Sequence, residues 1–364
     1  MLLASALLLG LGSLQQSAGN QAAPVELFRK FTVGEKLTYV TKAVFTDEQR
    51  VGSLQTFLPS DEEITYRHSL EVKKLKADGI AEVLYLRPTM TITEGDTGDS
   101  EAKSTVNKTD ERILLDITPI NEVIQMKDLN PKKEKKGGES KGDGLRLRTQ
   151  GQQADAATQI LLQEYVGDFQ RLAFFVGSLD TGLDISPRTP FEEVKVGDTW
   201  KKTATYQPQK LKGQGDKQAV QRLDYTYTYL GLMKNKEGKE VQRIQAKVIF
   251  ENDISEYARQ LVGASKGAMY IKSAPIKFTG QIDFDCDPAT MHLLKATAES
   301  NGSFSLNLKG VDMPYVEDRF KGRTTVKLES WIKGGTAKPE PAKSVPPPTK
   351  TNTNSKGKKS GGGL

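Results

Sequence analysis

Phe31-Thr32-Val33-Gly34-Glu35-Lys36-Leu37-Thr38-Tyr39 is answered far along the chain by Val194-Lys195-Val196-Gly197-Asp198-Thr199-Trp200-Lys201-Lys202. Each copy places a glycine in a turn before an alternating segment, where glycine takes a positive φ most simply. Two more landmarks recur in the same order. An aromatic segment at Tyr66 is matched at Tyr225, and the turn glycine Gly79 is matched by Gly238. Leu115-Asp116-Ile117-Thr118-Pro119 is then matched by Phe284-Asp285-Cys286-Asp287-Pro288. The spacing drifts by only a few residues, as changes in loop length require. A repeat this long predicts duplicated β modules rather than a short-period solenoid.

Working outward, residues 25–126 read as the first β module. Alternating or β-branched runs cover Leu37 to Val44, Gly52 to Leu58, Ile64 to Leu75, Ala81 to Ile92 and Glu111 to Met126. Asp78-Gly79 and Thr118-Pro119-Ile120-Asn121 are turn signals. Residues 127–150 form a charged Gly/Lys-rich loop with no apolar period. Within 151–190, Ile160, Leu161, Tyr165, Phe169, Leu172 and Phe175 recur at three- and four-residue steps, which predicts an amphipathic helix over Ala154 to Ser178. That helix either packs across a sheet or forms a lid over a groove. Residues 191–332 read as the second module. Its strands are expected over Thr199–Tyr206, Gln221–Lys234, Glu240–Phe250, Phe278–Cys286, Met291–Ser300 and Thr324–Trp331, with a short helix over Asn252–Val262. Residues 333–364 form a disordered Lys/Pro/Gly tail. The predicted fold class is therefore mainly β (α+β): two duplicated antiparallel curved β-sheet modules with the packed amphipathic helix between them, the choice between two separate sheets and one larger joined sheet being open at this point.

Charge excludes one class of partner. The chain carries 52 basic and 46 acidic residues, a net of +6. Seven lysines from Lys333 onward stand against Glu340 alone, so the tail holds the whole excess. A nucleic-acid module carries its charge on the folded face, and no nucleic-acid partner is expected. Leu2 to Gly12 is a short apolar run followed by small and polar residues, as in a secretory signal peptide spanning residues 1–23. It lacks the usual basic n-region, which leaves room for a start further upstream. The run is too short for a transmembrane span. The expectation is an exported protein, periplasmic or extracellular, with the signal removed. Cys286 is the sole cysteine, so no intrachain disulfide forms and stability rests on the core.

No motif for catalysis stands out, and the chain reads as no enzyme. Asp283, Asp285 and Asp287 have the opening spacing of a calcium loop, but Pro288 occupies the glycine position and Leu294 that of the closing glutamate. A strand running into a turn explains them better. The two histidines, His68 and His292, both fall in predicted strands, and no G-x-S-x-G elbow accompanies them. Cys286 and His292 flank one turn and make the most defensible reactive pair. Phosphate-loop spacings are absent. No cofactor and no metal is implied.

Val194-x-Val196-Gly197-Asp198-Thr199-Trp200, Tyr225-x-Tyr227-x-Tyr229-Leu230-Gly231, the Glu237-Gly238 turn with Val241 and Ile244, and Gly280-x-Ile282-x-Phe284-Asp285-x-Asp287 form one pattern. It resembles a family of exported, β-rich bacterial proteins classed as a domain of unknown function. The likeness covers Phe191 to Ser300 well and Phe31 to Met126 more loosely; the usual D-x-x-T-G-x turn is altered over Asp285 to Thr290. It implies export and a sheet with packed helices, and brings no catalytic residues. A looser likeness is to periplasmic lipoprotein carriers, whose curved sheet and helical lid hold acyl chains. The expected function is a non-enzymatic binding protein with an apolar groove for a lipid or other hydrophobic ligand. The groove would be lined by Tyr165, Phe169, Leu172 and Phe175 with Tyr225, Tyr227 and Tyr229, which alternate onto one strand face. The alternative is a structural or interaction component of the cell envelope.

Overall fold

The computed structural model describes residues 23–51, 56–76, 78–95, 103–130, 186–206, 221–256, 259 and 270–335. They build one antiparallel sheet. Its strands are β1 (Lys36–Val51), β2 (Leu58–Leu75), β3 (Ala81–Gly95), β4 (Lys103–Ile117), β5 (Val123–Asp128), β6 (Thr199–Tyr206), β7 (Gln221–Lys234), β8 (Glu240–Asp253), β9 (Ile271–Ser273), β10 (Pro275–Cys286), β11 (Leu293–Leu308) and β12 (Val316–Ile332). The order across the sheet is β5-β4-β3-β2-β1-β12-β11-β10-β8-β7-β6, with β9 pairing the far end of β11. Each half is thus a five-strand meander, and β12 is the joint between them.

The repeated sequence landmarks are repeated backbone devices. Gly34 and Gly197 both have positive φ (79° and 92°), and the surrounding hydrogen bonds correspond. Gly34 donates to the Val72 carbonyl and Glu35 to Thr32; Gly197 donates to Tyr229 and Asp198 to Lys195. The turns at Gly79 and Gly238 correspond in the same way, through Gly79 to Lys76 and Gly238 to Asn235. The third turn puts Asn121 and Met291 in the left-handed region, with φ of 60° and 58°. Asparagine tolerates that conformation; methionine there is uncommon, and its burial holds it in place.

Alternation then divides the two faces. Leu37, Tyr39, Ala43 and Phe45 on β1, and Ile276, Phe278, Ile282 and Phe284 on β10, are buried on one side. On the other side, ion pairs bridge strands: Lys42–Glu63 at 2.9 Å, Arg243–Asp285 at 2.8 Å and Lys277–Glu251 at 3.1 Å link neighbours, and Arg67–Glu329 at 2.9 Å reaches from β2 across β1 to β12. One apolar face against one charged face makes the sheet roll around its own side chains. At one end the roll nearly closes. Lys202 on β6 reaches Glu122, just before β5, at 2.8 Å, so the two edges of the sheet converge there. We call this the narrow end.

Rolling brings aromatic rings over small residues. Gly302 on β11 lies under Phe320 and beside Phe278; a Cβ there would stand 2.5 Å from the Phe320 ring and 2.5 Å from the Lys277 carbonyl. Gly302→Ala is therefore expected to destabilise the fold by about 1–3 kcal/mol through overpacking. The check is a urea midpoint, and one equal to the wild type would show that Phe320 yields freely.

The amphipathic helix expected over Ala154–Ser178 lies outside the described residues. So do the signal run, the charged loop and the tail beyond residue 335. Three expectations need correction. The run from Glu111 to Met126 is two strands, because the turn at 118–121 interrupts it. Around the strand expected over Gly52–Leu58, β1 extends to Val51 and Leu58 opens β2, while residues 52–55 lie outside the described residues. The expected helix at Asn252 begins only at Ser255, after β8 has run on to Asp253.

Candidate functional site

The narrow end is closed by the segment preceding β1. Val25 forms a bridge with Val194, and Leu27 is buried in the core. Arg29 donates its backbone N–H to the Pro119 carbonyl, and Lys30 donates to Thr290. The two equivalent turns therefore grip one strap from opposite sides. Inside it, Arg29 Nη2 meets Glu35 Oε2 at 2.6 Å, both side chains at most 5% exposed. Glu35 also accepts Trp331 Nε1 at 3.1 Å, and Arg29 reaches the Thr290 carbonyl at 3.2 Å. A buried charge pair is tolerable only when its remaining hydrogen-bonding capacity is met, as it is here.

Between strap and sheet lies a cavity of about 40 Å³, bounded by Arg29, Glu35, Tyr39, His68, Asn121 and Leu293 among others. A water needs on the order of 10–15 Å³ on this measure, so the space takes roughly one to three waters and no acyl chain. Its floor is aromatic. Tyr39 stacks on His68 with centroids 5.2 Å apart, and Tyr66 and Tyr85 approach the same imidazole at 5.7 and 5.5 Å. Tyr39 donates its hydroxyl to the Leu293 carbonyl at 3.0 Å, and burial pushes its ionisation far above the ordinary range. It acts as a fixed donor rather than an acid.

Tyr225, Tyr227 and Tyr229 do share one face of β7, and that face is core. All three are buried; Trp200 stacks on Tyr227 at 5.6 Å, and Tyr227 packs on Phe284 at 6.4 Å. Tyr165, Phe169, Leu172 and Phe175 lie outside the described residues. The structure therefore brings the three tyrosines together with Trp200 and Phe284.

Cys286 and His292 are both buried, at 0% and 1% exposure. Burial, aided by the nearby Asp285 charge, drives the Cys286 thiol ionisation far up, which opposes thiolate formation. His292 belongs to the turn before β11 rather than to a strand. Its Nδ1 lies 2.5 Å from Thr290 Oγ1, and its ring rests 4.4 Å from Trp331. Burial and the Arg29 charge hold its pKa down to about 4. Of the three aspartates, Asp285 pairs with Arg243, Asp283 accepts from Gln245 at 2.8 Å, and Asp287 caps its own turn through Ala289 and Thr290. Among the described residues no cluster of three His, Cys, Asp or Glu side chains is placed to hold a metal ion.

Away from the narrow end, the halves differ. On β10 every second residue is buried along the whole strand. On β4 burial fades from Leu115–Ile117 to full exposure at Lys103–Val106. In front of it, Ile64 on β2 and Met90 on β3 are only half-buried, beside the more deeply buried Ile92. The concave face is thus sealed at the narrow end and less covered over β2–β4. Sequence patterning missed a further feature: Asp47 on β1 and Asp318 on β12, both on this apolar face at 3% and 2% exposure.

No protein-family model matches the chain, and no curated protein does, so the likeness to exported β-rich proteins carries no family assignment. Among solved structures, lipovitellin, described for its lipid–protein interactions, is similar over 85% of this chain and 26% of its own, with 8% identity and a TM-score of 0.37. The chain thus spans about a quarter of lipovitellin's length. An outer membrane channel from Pseudomonas putida F1 is similar over 83% of this chain and 97% of its own, with 8% identity and a TM-score of 0.22. Scores this low assign neither family nor function. A strand wall that crosses a bilayer presents an apolar band outward. Here the outward face bears the ion pairs of β1, β2, β8, β10 and β12, the opposite polarity. Among the described residues no helix is long and apolar enough to cross a membrane.

Proposed function

We propose that this chain is an exported, non-enzymatic binding protein whose concave face takes an apolar ligand such as a lipid chain. The observation that carries the reading is the uneven cover of that face. It is closed at the narrow end by the strap, yet the half over β2–β4 leaves Ile64 and Met90 half-buried. The charged convex face supports it too, because it keeps the sheet in water while the apolar surface is turned inward. The ligand site of this reading is therefore the β2–β4 side, not the tyrosine face of β7.

Native mass spectrometry of the protein from its exporting host, followed by solvent extraction, tests this directly. A discrete apolar mass is expected to co-purify. Met90→Glu is expected to abolish it without altering the fold, since a charge placed against an apolar chain finds no partner. The second reading, a structural or interaction component of the cell envelope, is favoured by the small size of the narrow-end cavity. A clean ligand-free mass with nothing extractable would move the assignment there.

A further inference from the structure

At the end of the sheet away from the strap, beside the β1/β12 seam where the halves join, the β11–β12 connector carries a tip of apolar side chains. β11 ends at Leu308 and β12 begins at Val316. Gly310 takes a positive φ of 76°, and Val311 donates its N–H to the Leu308 carbonyl, so the chain turns sharply there. Lys309 donates its N–H to the Tyr270 carbonyl at 2.8 Å, which fixes the residue before β9 against the same turn. The base of this tip is core: Ile271, Leu306 and Val316 are buried, and Leu308 and Tyr315 pack against the same cluster. Above it, Tyr270, Val311 and Met313 are 54%, 48% and 47% exposed. A firmly seated backbone thus holds three large apolar side chains out in water.

Grouped apolar exposure of this kind marks a contact surface, and its size decides the partner. Three half-exposed side chains present roughly 300 Å², well under the roughly 800 Å² that a stable protein interface takes from each partner. A bilayer asks for no matching surface, and a small apolar tip enters its acyl boundary wherever it meets one. Charge fits the same partner. Within the tip's own segments, 270–272 and 309–315, the charged residues are Lys272, Lys309 and Asp312, all exposed, and the chain as a whole carries +6. Lysine stems lie along apolar surface while their ammonium groups reach lipid phosphates, and a tyrosine ring sits well at that depth. We infer that Tyr270, Val311 and Met313 form a membrane-docking tip that enters the surface of an anionic bilayer, with Lys272 and Lys309 on its phosphates. This stands apart from the ligand reading, because a chain with nothing in its concave face can still dock.

Vesicles of phosphatidylcholine mixed with phosphatidylglycerol test this on the full-length chain. An environment-sensitive dye attached at Met313→Cys reports the tip. The same dye at Ile332→Cys, exposed at the strap end and next to the basic tail in the chain, reports the opposite end. Cys286 is buried and takes no dye. A blue shift at 313 on adding vesicles is expected, and none at 332. A shift at 332 alone would put the tail's end on the lipid, and no shift at either site would leave the tip to a protein partner; both results overturn the docking. Co-sedimentation gives a second reading. The double variant Val311→Ser with Met313→Ser, its urea midpoint unchanged, should bind the vesicles about tenfold more weakly, since two apolar side chains no longer leave water. Binding equal to the wild type would show that the tail alone holds the membrane, which also overturns the proposal.

Discussion

Glu35→Ala is expected to destabilise the protein by about 3–5 kcal/mol, the cost of stranding a buried charge. Glu35 sits at 3% exposure and serves three roles in one place. Its carboxylate holds Arg29 at 2.6 Å, accepts Trp331 Nε1 at 3.1 Å, and its backbone closes the Gly34 turn by pairing with Val72. Alanine keeps the backbone bonds and removes the other two. Arg29 is then left with carbonyl partners and the face of Phe31, 4.7 Å from its guanidinium, but with no counter-charge. Urea unfolding gives the loss. The double variant Arg29→Met with Glu35→Leu separates mechanisms, because replacing both partners by apolar groups is often close to neutral. Recovery of most of the loss in the double variant is expected. A Glu35→Ala loss under about 1 kcal/mol would mean that water enters the strap and solvates Arg29.

The same residue shows where reading from sequence stops. The V-G-E and V-G-D turns look alike, and both do hold a left-handed glycine. Yet Asp198 folds back onto its own turn, accepting the Lys195 N–H at 2.8 Å, whereas Glu35 looks inward to Arg29 and Trp331. That difference depends on the strap crossing from Val25 to Lys30, a contact between segments far apart in the chain. Local patterning cannot carry it. The antiparallel β character was legible because turn glycines and alternation are local properties. The joining of the halves through β1 and β12 was not, since strands pair through backbone edges, which carry no side-chain signature of the partner. Tyr225, Tyr227 and Tyr229 were correctly placed on one face, but the sequence does not distinguish a groove wall from a filled core. Asp47 and Asp318 were readable in principle. Each breaks an alternation of buried positions, Ala43-Phe45-Asp47 and Val316-Asp318-Phe320, and an acid at an inward position is the available signal.

Those two readings of burial meet in the pH dependence of stability, where Asp318→Asn is expected to have an effect of about 3–4 kcal/mol at pH 8. Asp318 stands at about 8 in the folded chain against an ordinary 3.8, so the native state binds the extra proton and stability falls as pH rises between those values. His292 stands at about 4 against 6.5, so there the unfolded state binds the extra proton and stability rises with pH across that interval. The two slopes are opposite and equal, each about 1.4 kcal/mol per pH unit. They cancel between pH 4 and 6.5. Above 6.5, of these two groups, Asp318 alone still titrates, and its contribution should cost the wild type about 2 kcal/mol by pH 8. Asp253 and Asp287 titrate below this window, because hydrogen bonds from their turns outweigh burial and hold them under the ordinary value. With asparagine at 318 the falling slope disappears while the amide keeps the shape of the acid. The variant should then gain about 3 kcal/mol from pH 4 to 6.5 and stay level to 8. Part of the full linkage gain at pH 8 is lost to the amide's own unmet hydrogen bonds. Urea midpoints taken at half-unit steps of pH decide the matter. A wild-type profile that climbs through pH 6 and does not fall beyond it would show that Asp318 is already charged in the folded seam.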